Sequence, residues 1–243
     1  MSELYNPAVY KQFIDNMHSA LATSKTIKKV NLSELRKPAF KHGRKTKFGS
    51  YSFRSVISSR IGPKTVYLGS EYVQLPSITP LMKKIIEDAP EELHKVLHLL
   101  RTLPFVHLRR RMGDNPEYNP VCNLYMSMAD PKNARLAYMY GNTLAEVDKR
   151  KPGPEFTMIH IPEEHQIRQQ VLAIPQFNVN ICLGSDYMGE DKKGFLRQAM
   201  YTADESGMLG LHAGTKIVKV IDARDNKLKK FGVYLFGLSA TGK

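Results

Sequence analysis

The last thirteen residues constrain this chain more than any other stretch of it. Phe231-Gly232-Val233-Tyr234-Leu235-Phe236 reads as a β-strand, and Gly237-Leu238-Ser239-Ala240-Thr241-Gly242-Lys243 fits the pattern G-x-x-x-x-G-K. In such a loop the glycines let backbone N–H groups turn inward around phosphate oxygens, and the lysine reaches the terminal phosphates. The loop ordinarily opens a helix whose N-terminus adds a favourable dipole, and a Ser or Thr after the lysine holds Mg²⁺. No residue follows Lys243 here, so a complete nucleotide site is expected to need further chain.

Upstream, the hydrophobic spacing describes a mixed architecture. Ala8, Val9, Phe13, Met17, Ala20 and Leu21 recur at three and four, which predicts a helix over 6–22 beginning near Pro7. Residues 36–50, with Lys37, Lys41, Arg44, Lys45 and Lys47 around Gly43 and Gly49, read as a basic loop. Thr65–Leu68 is a short strand closed by Gly69, and two helices are expected at 79–88 and 91–100, punctuated by Pro80 and Pro90. Gly113-Asp114-Asn115-Pro116 is a turn. Strands at 121–128 and 134–140 are expected to form a hairpin-like pair joined at Asp130-Pro131-Lys132-Asn133. Further strands are predicted at 155–161, 178–183, 208–213, 216–222 and 230–236, with a helix at 193–205. Strands outnumber singly interspersed helices, which predicts an α/β (mixed α+β) domain and not a doubly wound parallel one.

Composition narrows the class. A chain of 243 residues with 42% hydrophobic residues can bury a substantial core, which excludes global disorder. No apolar run approaches the about 20 residues needed to span a bilayer, and no secretory signal pattern opens the chain. Cys122 and Cys182 have no paired spacing, which fits a reducing, cytoplasmic setting. The net charge of +13 is uneven, because residues 1–70 hold thirteen Lys and Arg against Glu3, Asp15 and Glu34. Such an excess favours an anionic partner, unless it is a solvated face balanced by acidic sequence elsewhere.

A second feature is Tyr187-Met188-Gly189-Glu190-Asp191-Lys192-Lys193-Gly194, followed by His212. Two lysines at the start of a helix oppose its dipole, a placement that suggests a use. Alone, the doublet is a surface pair and His212 a core histidine. His160, Glu163, Glu164 and His165 have the donors for zinc, but His160 falls in a predicted strand and five residues separate the histidines, so they read as a surface cluster. Tyr125-Met126-Ser127-Met128 reads as core packing and Cys182 as a buried structural thiol.

Taken together and in order, Tyr187–Gly194, Gly210-Leu211-His212 and Phe236–Lys243 resemble the signature of ATP-dependent phosphoenolpyruvate carboxykinases, most closely over about residues 170–243. The resemblance implies a carboxykinase-like N-terminal domain, a mixed β-sheet flanked by helices. Residues 1–228 would form a substrate-binding domain and 229–243 the start of a nucleotide-binding domain, with the C-terminal domain missing and the fragment inert alone. It implies ATP-dependent decarboxylation and phosphorylation of oxaloacetate to phosphoenolpyruvate in the gluconeogenic direction, with ATP, Mn²⁺ and Mg²⁺. Lys193 and His212 would ligate Mn²⁺, beside an aspartate outside this chain. Lys192 would bind substrate oxygens and the moving phosphoryl group, and Tyr187 would face the carboxylate or carbon dioxide. Gly237, Ser239, Thr241, Gly242 and Lys243 would hold the nucleotide phosphates. Ser59-Arg60-Ile61-Gly62-Pro63-Lys64 is similar to a loosened Gly-Arg-Ser-Pro-Lys-Asp-Lys, which makes Arg60 the candidate for gripping oxaloacetate. An extra residue separates Arg60 from Pro63, and Ala240 replaces a usual glycine, so a related P-loop kinase with another acceptor stays open.

The chemistry is coherent. An amine ligates metal only when neutral, and deprotonating a lysine at pH 7 costs about 4.6 kcal/mol. A neighbouring ammonium and the metal both lower that cost, so a doublet lets one member bind metal and the other an anion. A nucleic-acid-binding module is the competing reading: Lys37–Lys47 and Arg109-Arg110-Arg111 supply charge, and Phe48, Tyr51 and Phe53 supply rings. Against it, no known nucleic-acid motif order appears, so the expected partners are the small anions.

Overall fold

The computed structural model describes residues 6–56, 61–69, 78–148, 153–163 and 168–237. They divide into two compact units, Met1–Gln198 and Ala199–Lys243.

In the first unit, α1 (Ala8–Thr23) leads to β1 (Ile27–Val30), α2 (Leu32–Phe40) and a small hairpin, β2 (Arg44–Lys45) with β3 (Tyr51–Ser52). Next come β4 (Thr65–Tyr67), α3 (Pro80–Thr102), β5 (Phe105–Arg111), β6 (Val121–Ser127) and α4 (Ala134–Gly141). The sheet is completed by β7 (Glu155–Ile161), β8 (Gln170–Ile174) and β9 (Val179–Leu183), which feeds α5 (Met188–Glu205). Among the described residues seven strands form one mixed sheet in the order β1-β5-β6-β7-β9-β8-β4. The pairs β5–β6 and β8–β9 are antiparallel and the other four parallel.

The two faces of that sheet differ in chemistry. On one, α1 and α3 lay Phe13, Met17, Ile85, Leu93, Val96 and Leu100 onto Ile159, Leu172, Ile174 and Ile181, an almost wholly apolar core. Alternation along β7 and β9 sends Met158, His160, Asn180 and Cys182 to the other face. There the rings of Tyr140 in α4 and Phe195 in α5 pack 5.5 Å apart. The mixed fold predicted from the sequence is therefore present, with helices flanking a mixed sheet.

Four local expectations are corrected. Residues 134–140 are helical, because Asp130 accepts from the Lys132 backbone and starts a turn that runs into α4. That helix is the crossover which the parallel pair β6–β7 requires. The two helices expected at 79–88 and 91–100 are one, α3, passing through Pro90. Burial of a continuous stripe from Met82 to Leu100 outweighs the about 3 kcal/mol that an interior proline costs. The first third of the basic segment 36–50 is the end of α2, which a capping box starts: Asn31 and Glu34 each accept with a side chain from the other's backbone N–H, at 3.0 and 2.8 Å. Finally, 208–213 is irregular, while β10 (Gly214–Asp222) and β11 (Lys227–Leu235) form the antiparallel hairpin of the second unit.

Pro90 is exposed in α3, so Pro90→Ala removes no buried contact and restores a helix hydrogen bond. The variant should be more stable by about 2 kcal/mol after the proline's restriction of the unfolded chain is discounted. A urea titration with unchanged slope and a raised midpoint checks this.

Candidate active site

The turn from β9 into α5 is built over buried polar groups. Gly184, Ser185 and Asp186 are buried as the chain leaves the sheet, and Tyr187 then emerges half exposed. Beneath them lies His160, whose Nδ1 is 2.6 Å from Asp191 Oδ1 and whose Nε2 is 2.6 Å from the Ser185 carbonyl oxygen. A carbonyl only accepts, so Nε2 carries a hydrogen, and a further proton lies between Nδ1 and the carboxylate. Burial disfavours a charged ring, but Asp191 and Cys182 together outweigh it and hold His160 well above the ordinary histidine value. Asp191 Oδ2 is buried with no hydrogen-bond partner among the described residues, which leaves His160 as the group that compensates this carboxylate. The surface-cluster reading of His160 is thus corrected: it is fully buried, because it faces inward with Met158 along β7. Glu164 and His165 lie outside the described residues.

A second buried pair anchors the same turn from the opposite side. Arg135 Nη2 in α4 donates to Asp186 Oδ2 at 2.5 Å, and the backbone N–H of Val56 donates to the same oxygen at 2.7 Å. Ser55 Oγ donates to the Asp186 carbonyl, and Arg135 Nε donates to the Arg54 carbonyl. Residues 54–56, which precede Ile57–Arg60 in the chain, are in this way tied to the residue before Tyr187. Arg60 itself lies outside the described residues.

Helix α5 begins at Met188, five residues before the predicted start, so the lysine doublet does not sit at the helix N-terminus. The first turn instead carries Glu190 and Asp191, which suit the dipole. Lys192 and Lys193 follow on the exposed side, and the Lys193 amine stands 5.4 Å over the centre of the Tyr187 ring. Neither lysine is in an ion pair among the described residues. The two glycines of the motif are explained by close approach. A Cβ on Gly189 would run into the Tyr187 ring, and one on Gly194 would run into the Met158 side chain. Asn180 Nδ2 in β9 donates to the Gly194 carbonyl at 3.2 Å, which seats the helix on the sheet at that close-packed point.

In the second unit His212 is exposed on the irregular segment before β10, so the expectation of a core histidine beside a strand is corrected. Gly237 is exposed, and Ser239, Thr241, Gly242 and Lys243 lie outside the described residues. Among the described residues no group of three or more His, Cys, Asp and Glu side chains is arranged to hold a metal. Lys193 in the first unit and His212 in the second each lack an acidic partner among the described residues, and a neutral amine and an imidazole are each of a kind that binds divalent transition metals. Among the described residues no helix is long and apolar enough to cross a membrane.

A mixed sheet flanked by helices, with Tyr187 just before α5 and an exposed lysine pair beginning five residues on, is consistent with a carboxykinase-like domain. The family model described as phosphoenolpyruvate carboxykinase matches residues 24–243, and the chain belongs to the ATP-dependent phosphoenolpyruvate carboxykinase family. A stretch of 67 residues is 45% identical to a protein of Aeropyrum pernix named phosphoenolpyruvate carboxykinase (ATP). That stretch is 27% of this chain and 13% of the length of that relative.

The sequence reading gave no site role to Asp191, Asp186 or Arg135 and placed His160 on the surface. The available signal was His160 alternating with Phe156 and Met158 in β7, where a lone histidine calls for a buried acceptor.

The buried histidine gives stability a definite pH dependence. Because its folded value is raised, its contribution is complete below about pH 6.5, where an unfolded histidine is also protonated, and is lost as pH rises toward the folded value. Unfolding free energy should therefore fall as pH rises above about 6.5. His160→Gln combined with Asp191→Asn, which removes both groups of the pair, should lose that fall in urea titrations repeated at each pH. Above this window the Cys122 thiol, which burial pushes up, adds a slope of the same sign.

Proposed function

We propose that this chain supplies the substrate side of an enzyme that converts oxaloacetate and ATP to phosphoenolpyruvate, carbon dioxide and ADP. The observation that carries the reading is Lys193 held over the Tyr187 ring with no carboxylate partner, beside the equally unpaired Lys192. Two exposed helix lysines elsewhere, Lys11 and Lys84, lie beside an acid at i+4. Here the acids of the same turn, Glu190 and Asp191, point inward to Arg197 and His160 and leave the amines free.

In this reading Arg60 grips a carboxylate of oxaloacetate through its planar fork of donors. Tyr187 faces the carboxylate that leaves. The bond to that carboxylate breaks, carbon dioxide departs, and the electron pair becomes an enolate. Lys192 donates to the enolate oxygen and then to the phosphoryl oxygens, so positive charge stands where negative charge develops. The enolate oxygen attacks the γ-phosphorus, the bond to the β-phosphate oxygen breaks, and ADP leaves. Positioning and charge neutralisation supply most of the catalysis in such a transfer. Lys193 and His212 would hold Mn²⁺, and a bound divalent ion supplies Lewis-acid stabilisation of developing oxyanions. Ser239, Thr241, Gly242 and Lys243, with Gly237, would wrap the nucleotide phosphates and their Mg²⁺.

The test is an assay of phosphoenolpyruvate formation by the full-length enzyme. Lys193→Ala and His212→Ala should each lose most turnover and the dependence on Mn²⁺, whereas Lys192→Ala should lose turnover and keep metal affinity. Unaltered kinetics in the first two variants would remove both residues from the metal site. Residues 1–243 alone should form no product.

A further inference from the structure

Much of the positive charge of the N-terminal seventy residues gathers on elements other than those carrying Tyr187 and the lysine doublet. Arg36, Lys37 and Lys41 project from α2 and the residue after it, and Arg44, Lys45 and Lys47 from the β2–β3 hairpin. All six are exposed, and none has an acidic partner among the described residues. Nor does an acidic residue interrupt the sequence between Arg36 and Lys47. Like charges this close repel one another, so a surface of this kind is completed by a ligand with several negative charges.

Aromatic rings are set among these cations. Phe40 and Tyr51 stack with centres 3.9 Å apart and planes within 12°, and Tyr138 meets Phe40 edge-on at 5.4 Å. Phe40 and Tyr51 form the floor, and Ser33, Arg36, Lys37 and Lys41 the rim, of a shallow cavity of about 570 Å³. The Arg36 guanidinium lies 5.4 Å over Phe40. At the hairpin tip Phe48 is 85% exposed, with the Lys47 amine 5.0 Å over its ring. An aromatic ring left in water at a tip, with one unpaired lysine over one face, offers its other face for stacking beside a cation.

We propose that α2 and the β2–β3 hairpin bind single-stranded nucleic acid, with the six cations tracking phosphates, Phe48 stacking on one base and the cavity over Phe40 receiving another. The alternation of charge and ring selects this ligand: single strands repeat an anion and a flat apolar ring along their length, and stacking on aromatic side chains is indifferent to sequence. A duplex keeps its bases stacked on one another and would leave Phe48 unused. An anionic bilayer would be met by several apolar residues at the tip, and only Phe48 stands there. None of these residues belongs to the proposed carboxykinase site, so the two readings stand or fall separately.

The experiment is fluorescence anisotropy of a labelled single-stranded oligonucleotide of twelve or so bases, titrated with the chain at 50 to 200 mM salt. If all six cations engage, the logarithm of affinity should fall against the logarithm of salt with a slope of about −4, roughly 300-fold weaker over that range. Arg36→Gln with Lys37→Gln and Lys41→Gln should reduce the slope by about 2. The control Lys216→Gln with Lys219→Gln and Lys230→Gln removes the same charge from the β10–β11 hairpin and should leave the slope unchanged. Phe48→Ala should weaken binding about fivefold or more at unchanged slope, and its exposure makes unfolding no explanation. The proposal is overturned by no binding at 50 mM salt, by equal losses in both triple variants, by an unaffected Phe48→Ala variant, or by binding to phosphatidylserine vesicles without binding to the oligonucleotide.

Discussion

The buried contact of His160 with Asp191 and the Ser185 carbonyl is the constraint on which the candidate site depends. It joins the end of β7 to two points some 25 and 31 residues further on, the turn after β9 and the first turn of α5. An imidazole between two acceptors has no freedom to rotate, and breaking either contact leaves a polar group unsatisfied in a dry interior, at a cost of several kcal/mol. The position of the first turn of α5 is therefore fixed by geometry and not by apolar contact, which is non-directional. Since Lys192 and Lys193 are the next residues along the helix, their backbone is placed by the same contact.

Polar seating continues along the inner side of α5. Glu190 is buried and pairs with Arg197, which also donates to Asn180 Oδ1, and Gln198 Nε2 donates to the Val179 carbonyl. The contrast with α1 and α3, which cover the opposite sheet face with aliphatic and aromatic side chains, is sharp. An apolar interface tolerates small slides and repacking. A row of hydrogen bonds does not, because a displaced donor loses its acceptor. The helix that holds the Lys193 amine over the Tyr187 ring has the second kind of attachment.

Much of the architecture was legible in the sequence, because strands such as Glu155–Ile161 and Val179–Leu183 are largely apolar and bounded by Pro, Gly or Asn. The failures have local causes. Residues 134–140 contain Tyr, Leu and Met in a pattern that fits either a strand or a helix, and only the Asp130-Pro131 start and the crossover requirement decide between them. Pro90 looked like a boundary because propensity is local, whereas the stripe that overrides it is buried by contacts distant in sequence. At the site, Tyr187, Gly189, Lys192 and Lys193 could be chosen from the motif. His160 and Arg135 could not, because they reach the site from β7 and α4, and no spacing in the sequence encodes that approach.

The charge distribution bears on how an anion would be gathered. A net charge of +13 reads as attraction toward a dianionic substrate, yet six of the N-terminal cations stand together on α2 and the small hairpin, on elements that do not carry Tyr187. The cations carried on the same turn as Tyr187 are the lysine doublet, Lys192 and Lys193. Their freedom from carboxylates follows from Glu190 and Asp191 being turned inward onto Arg197 and His160. The same two acids that anchor the helix start thus leave its outer face with amines alone, and rigidity and electrophilic surface arise from one arrangement of side chains.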